Sequence, residues 1–85
     1  MEIKEIIAVT NKFLVEEFEA NPGDITPEAN LKSTLDLDSL DYIDMVVVIE
    51  DNFGFKVKPE DFQAIISFQD FYDYVTARVQ QKELV

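Results

Sequence analysis

The chain of 85 residues contains no cysteine and no histidine. It therefore cannot form a disulfide, a thiolate metal site or a serine–histidine–aspartate triad. The only glycines are Gly23 and Gly54, too few for a glycine-rich loop that cradles phosphate. These absences predict a protein with no catalytic and no metal-binding residues of its own.

Positive charge is also scarce. Seven lysines and arginines face 18 aspartates and glutamates, which gives a formal net charge of −11. Such a domain repels nucleic-acid backbones and anionic lipid surfaces, and it attracts proteins with basic patches. Acidity that only aids solubility explains the composition equally well at this point.

Long apolar runs are missing as well. The longest covers residues 45–49, far short of the roughly 20 residues that span a bilayer. The charged start at residues 1–5 does not resemble a signal peptide. We therefore expect no membrane insertion and a cytoplasmic, monomeric protein, with residues 1–85 forming one domain.

Helical periodicity dominates what remains. Apolar residues recur at helical spacing over residues 2–19, 39–53 and 67–82, and residues 58–65 suggest a short helix. These segments predict an all-α fold, a small helical bundle of three main helices plus one short helix.

The connection before residue 39 is less regular. Thr26, Pro27 and Glu28 suggest one helical turn, because they resemble a cap, a first-position proline and a first-turn acid. The leucines that follow are predicted to be loop residues held against the core; they are Leu31, Leu35 and Leu37.

The second main helix contains a β-branched run, residues 46–49, which would also suit a strand. We favour a helix because the apolar pattern continues from residue 40 to residue 53 without a turn signal. The residues of this helix that we expect in the core are Met45, Val46, Val48, Ile49 and Phe53.

The most informative motif is the triplet Asp38-Ser39-Leu40 at the start of that helix. In isolation it indicates little, because a serine there is most simply a helix cap. Within a chain of this length, acidity and helix order, residues 25–75 resemble the acyl carrier protein family. In that family the serine of the triplet is esterified by 4′-phosphopantetheine.

The resemblance implies that Ser39 is the attachment point for 4′-phosphopantetheine, flanked by Asp38 and Leu40. It implies as partners a phosphopantetheinyl transferase and acyl-transfer, ketosynthase or ligase enzymes with basic patches. It also implies that the second main helix is the partner-binding surface. The residues of that surface are Asp38, Leu40, Asp41, Ile43, Asp44, Val47, Glu50 and Asp51. For Ile43 a core position is an equally good interpretation, because the apolar arc of the helix is wide.

Some positions depart from the family pattern. Asp36 and Leu37 replace a glycine that is common before the serine, and Tyr42 is bulky for a position that is usually small. The bulky rings near the second and last helices predict a restricted cavity for cargo. We expect a carrier for fatty-acid or related acyl-chain synthesis. The alternatives are a specialised carrier of aryl, aminoacyl or polyketide groups and, in another class, an unmodified acidic helical adaptor.

Overall fold

A computed structural model describes residues 2–83, with side chains through Lys82. Over these described residues the chain forms three long helices, one short α-helix and two short 3-10 helices. In chain order they are α1 (Ile3–Phe18), a 3-10 helix (Pro22–Asp24), α2 (Leu31–Leu35), α3 (Ser39–Phe53), a second 3-10 helix (Pro59–Ala64) and α4 (Phe68–Glu83). The predicted all-α bundle with three main helices is confirmed.

The helix ends follow local chemistry. Ser67 caps α4, because its hydroxyl accepts the Asp70 N–H at 3.1 Å. The Asp70 carboxylate accepts the N–H groups of Ser67 and Ile66, and these bonds lower the pKa of Asp70. Gly54 ends α3 in the left-handed region, with φ 75°, which glycine adopts readily. A Cβ atom at this position would also clash with the Lys82 ammonium group.

The core lies where the inner faces of α1, α3 and α4 meet. Its only buried polar side chain is Thr10 among the described residues, and the Thr10 hydroxyl donates to the Ile6 carbonyl at 2.7 Å. Apolar packing therefore supplies the stability that disulfides provide in other small domains. The residues with the most completely buried side chains are Ile6, Leu14, Leu31, Met45, Ile49, Phe68, Phe71 and Val75.

The connection between α1 and α3 differs from the prediction in two places. Thr26 does not start a helical turn; its carbonyl accepts the Ala29 N–H at 3.1 Å in a single β-turn. Leu31 and Leu35 are not loop residues, because they begin and end α2. The predicted short helix at residues 58–65 is present as the second 3-10 helix.

Backbone hydrogen bonds hold this connection against the start of α4. The Leu31 N–H donates to the Ile66 carbonyl at 2.9 Å, and the Phe68 N–H donates to the Ala29 carbonyl at 3.1 Å. The Gln69 N–H donates to the Pro27 carbonyl at 3.1 Å. The segment that leads to Ser39 is thus fixed relative to the bundle.

Within residues 2–83, no helix has the length and apolar character needed to cross a bilayer.

Candidate functional site

The structure places Ser39 at the first position of α3, with an exposed side chain. The helix cap is Asp38, whose carboxylate accepts the Asp41 N–H at 3.0 Å. In return, the Asp41 carboxylate accepts the Asp38 N–H at 3.0 Å, which completes a capping box. A serine at a helix start is most simply a cap, but here Asp38 caps α3 and Ser39 does not.

Two structural features fix the position of Ser39. Leu37 is only 5% exposed and anchors the chain two residues before the serine. Asp36 ends α2 in the left-handed region with φ 51°, and the Leu37 N–H donates to the Lys32 carbonyl at 3.1 Å. The hydroxyl of Ser39 is thus presented to solvent from a well-anchored backbone.

The outer face of α3 combines apolar and acidic side chains. Leu40 is 70% exposed, and Ile43 and Val47 are each 52% exposed. Ile43 therefore belongs to the surface, which resolves the alternative left open by the sequence. The acids on this face are the exposed Asp38, Asp44 and Asp51 and the half-buried Asp41 and Glu50. Together with Leu40, Ile43 and Val47 they form what we call the acidic face of α3.

The opposite face of α3 packs into the bundle. Met45 and Ile49 are fully buried, and Phe53 is 6% exposed, as predicted. Val46 and Val48 are only half-buried and lie at the edge of the core, because they flank the buried stripe of the helix.

Part of α1 lies next to the acidic face of α3, and no sequence pattern predicts this. A groove of about 560 Å³ lies between α1 and α3, and Asp44, Val47 and Asp51 line its α3 side. Glu16 and Glu17 line the other side. Helical spacing within α1 marks these glutamates as surface residues but cannot show which helix they face.

A second groove, of about 710 Å³, begins beside Ser39. It runs between α2 and the second 3-10 helix, and its floor includes Tyr42 and Phe62. Burial raises the pKa of the Tyr42 phenol, so this group stays neutral at physiological pH. The other lining residues are Asn30, Lys32, Ser33, Pro59, Glu60, Gln63, Ile65 and Ile66. We call this space the Ser39 groove.

These features fit a phosphate-linked arm. An exposed hydroxyl at the N-terminus of a helix can carry a phosphodiester, because the partial positive charge of the helix end favours an anion. The Ser39 groove offers space beside the attachment point, and Lys32 supplies a cation to its lining. Among residues 2–83, no group of three acidic residues is arranged to hold a metal ion.

Comparison with known proteins identifies the family of the chain. The family described as "Phosphopantetheine attachment site" matches residues 12–75. "Acyl carrier protein 2" from Ralstonia nicotianae is 35% identical over 66 residues, covering 78% of this chain and 82% of that protein. "Acyl carrier protein" from Thermosynechococcus vestitus is 25% identical over 79 residues, covering 93% of this chain and 98% of that protein. The chain therefore belongs to the acyl carrier protein family, and it is a phosphopantetheine-bearing carrier and not an enzyme.

Proposed function

We propose that Ser39 carries the phosphopantetheine arm and that the chain presents acyl groups on it, as thioesters, to partner enzymes. The observation that carries this proposal is the exposed serine at the start of α3, next to a residue that already caps the helix. A serine without a capping role, anchored in the matched region at residues 12–75, is best explained by modification.

The attachment reaction requires nothing from this chain except the hydroxyl. The Ser39 oxygen forms a bond to the phosphorus that bears pantetheine, and the pyrophosphate bond of coenzyme A breaks. Adenosine 3′,5′-bisphosphate leaves, and the serine proton passes to a base of the transferase. The arm then supplies the thiol, which the chain lacks because it has no cysteine.

Recognition is assigned to the acidic face of α3. Its carboxylates would attract a basic patch on the transferase or on an acyl-transfer, ketosynthase or ligase enzyme. Leu40, Ile43 and Val47 add exposed apolar surface that a partner can bury. Charge attraction mainly speeds encounter and sets orientation, which suits a carrier that must also dissociate.

For the pathway, we propose fatty-acid or related acyl-chain synthesis as the first candidate. The second candidate is a specialised carrier of aryl, aminoacyl or polyketide groups. One observation favours it: the rings of Tyr42 and Phe62 lie 5.2 Å apart at the floor of the Ser39 groove, where a long apolar chain would otherwise enter.

The attachment point is tested by intact mass. Incubation with coenzyme A and a phosphopantetheinyl transferase should add one phosphopantetheine to the wild type and none to Ser39→Ala. Ser33→Ala is the matched control, because Ser33 is an exposed serine lining the same groove. An adduct on Ser39→Ala would disprove the assignment. No adduct on the wild type would favour the unmodified adaptor.

A further inference from the structure

Seven aromatic side chains form a continuous series of ring contacts through the bundle. The series begins at the Ser39 groove and ends beside Arg78 on α4, whose guanidinium lies 5.5 Å from the Phe55 ring. Successive ring centroids are between 5.2 and 6.5 Å apart. In order, the rings are Tyr42, Phe62, Phe71, Phe13, Phe53, Phe55 and Tyr74.

The first two rings separate the groove from the core. Tyr42 and Phe62 both line the Ser39 groove, and Phe62 is only 5% exposed. Behind Phe62, the ring of Phe71 lies 6.1 Å away in an edge-to-face arrangement, and Phe71 is fully buried. An acyl chain entering the bundle from Ser39 would therefore meet Phe62 first and Phe71 directly behind it.

The element that carries Phe62 is held in place. Asp61, the preceding residue, accepts a hydrogen bond from the Tyr74 hydroxyl at 2.9 Å, which joins the second 3-10 helix to α4. Displacing the Phe62 ring would disturb this bond and the contacts with Phe71. The space deeper in the bundle is already occupied, since Met45 and Ile49 are fully buried.

We propose that this carrier keeps its cargo outside the helical core, along the Ser39 groove, and that its cargo is a short or polar acyl group. This inference rests on the proposed attachment at Ser39, and it favours the second pathway candidate, the specialised carrier, over the synthesis of long fatty acids. A long saturated chain left outside the core would expose many methylene groups to water, which is unfavourable. Acyl groups with few methylenes, or with polar groups along the chain, do not need such shelter.

The test compares melting temperatures of protein loaded with acetyl, octanoyl and myristoyl groups. Intact mass first verifies that each sample carries the arm, so a missing arm is recognised as failure of the proposed function alone. In the wild type we expect a melting temperature that does not increase with chain length. A steady increase from acetyl to myristoyl would overturn the proposal, because it would show that the chain becomes buried.

Two variants test whether Phe62 is the barrier. Phe62→Ala should open space directly behind the groove, so its melting temperature should rise with acyl length. Phe55→Ala is the matched control, because it removes a buried ring of the same series away from the groove and should show no length dependence. If Phe62→Ala is also insensitive to length, the ring does not act as the barrier and the proposal fails.

A measurement on the wild type tests the proposal even if the Phe62→Ala variant does not fold. Methyl NMR signals should shift on octanoyl loading at Ile65 and Ile66, which line the groove, and remain unchanged at Met45 and Ile49. Shifts at Met45 and Ile49 would contradict the proposal.

Discussion

The carboxylate of Asp38 caps α3, and in the proposed function it also contributes to recognition by a partner enzyme. It accepts the Asp41 N–H at 3.0 Å and so satisfies one of the donors left free at a helix N-terminus. Asp38 is also exposed and directly precedes Ser39, where a modifying enzyme would approach. A cap needs only an oxygen acceptor, whereas attraction to a basic partner needs the charge. Substitution can therefore separate the two purposes.

We expect Asp38→Ala to lower the free energy of unfolding by about 1 kcal/mol, because it removes the cap. Asp38→Asn keeps an acceptor oxygen and should lower it much less. Urea denaturation followed by circular dichroism measures this difference. Both variants should be modified by the transferase more slowly than the wild type, because both lack the charge. Modification of Asp38→Asn at the wild-type rate would mean that this charge has no part in recognition.

At the scale of the element, much of α3 could be predicted from the sequence. The β-branched run at residues 46–49 is compatible with a strand, yet the apolar pattern is too long for one, and the helix is confirmed as Ser39–Phe53. The burial of Met45, Ile49 and Phe53 followed from the helical period, whereas Val46 and Val48, also predicted in the core, lie at its edge. The exposure of Ile43 could not be predicted from the helical period. The apolar arc of α3 is wide, and the arrangement of the neighbouring helices decides which part of that arc becomes buried.

The short helix α2 was missed because its stability comes from contacts remote in sequence. Five residues are too few to form an isolated helix. Burial of Leu31 and its hydrogen bond to Ile66 hold this one in place. One local signal was present, since the Asn30 side chain accepts the Ser33 N–H at 2.8 Å as a helix cap. The sequence pattern Asn-x-x-Ser does not distinguish this cap from an ordinary turn.

The acidic face of α3 should be more sensitive to charge than other acidic surfaces. We expect Asp44→Lys to slow transferase modification on the order of tenfold at low salt, because it replaces an attractive charge with a repulsive one. Glu5→Lys is the matched control, with the same change in net charge at an exposed position near the start of α1. Its rate should stay close to that of the wild type.

Salt provides a second readout of the same prediction. Raising the ionic strength well above about 0.1 M should slow the wild type and reduce its difference from Asp44→Lys, because salt screens exposed charges. If Asp44→Lys and Glu5→Lys slow the reaction equally, recognition depends on net charge and not on this face.

At the scale of the whole molecule, polar side chains fasten the connection between α3 and α4 onto α4. The Tyr74 hydroxyl donates to the Asp61 carboxylate at 2.9 Å. The Arg78 guanidinium donates to the Lys56 carbonyl at 2.8 Å, and the Lys82 ammonium group donates to the Phe53 carbonyl at 3.3 Å. These three hydrogen bonds thus hold the segment between α3 and α4 against α4.

The hydrogen bond from Tyr74 to Asp61 makes the stability of the fold depend on pH in the alkaline range. Burial, the hydrogen bond to Asp61 and the charge of Asp61 raise the pKa of Tyr74 from 10.0 to about 12. Because the pKa of the folded state lies above that of the unfolded chain, the neutral phenol contributes stability that is fully present below pH 10. That contribution is lost as the pH rises through about 12. Burial raises the pKa of Tyr72 and Tyr42 in the same direction.

Tyr74→Phe isolates this contribution. At pH 7 we expect the variant to be less stable than the wild type by about 1 kcal/mol, because it loses the hydrogen bond to Asp61. Between pH 10 and 12 the difference should shrink, since the ionised phenol of the wild type can no longer donate and repels the carboxylate. Urea denaturation at intervals across this range measures the difference. All other side chains are the same in the two proteins, so their effects on stability largely cancel in the difference. A difference that stayed constant to pH 12 would show that the Tyr74 hydroxyl does not couple the fold to alkaline pH.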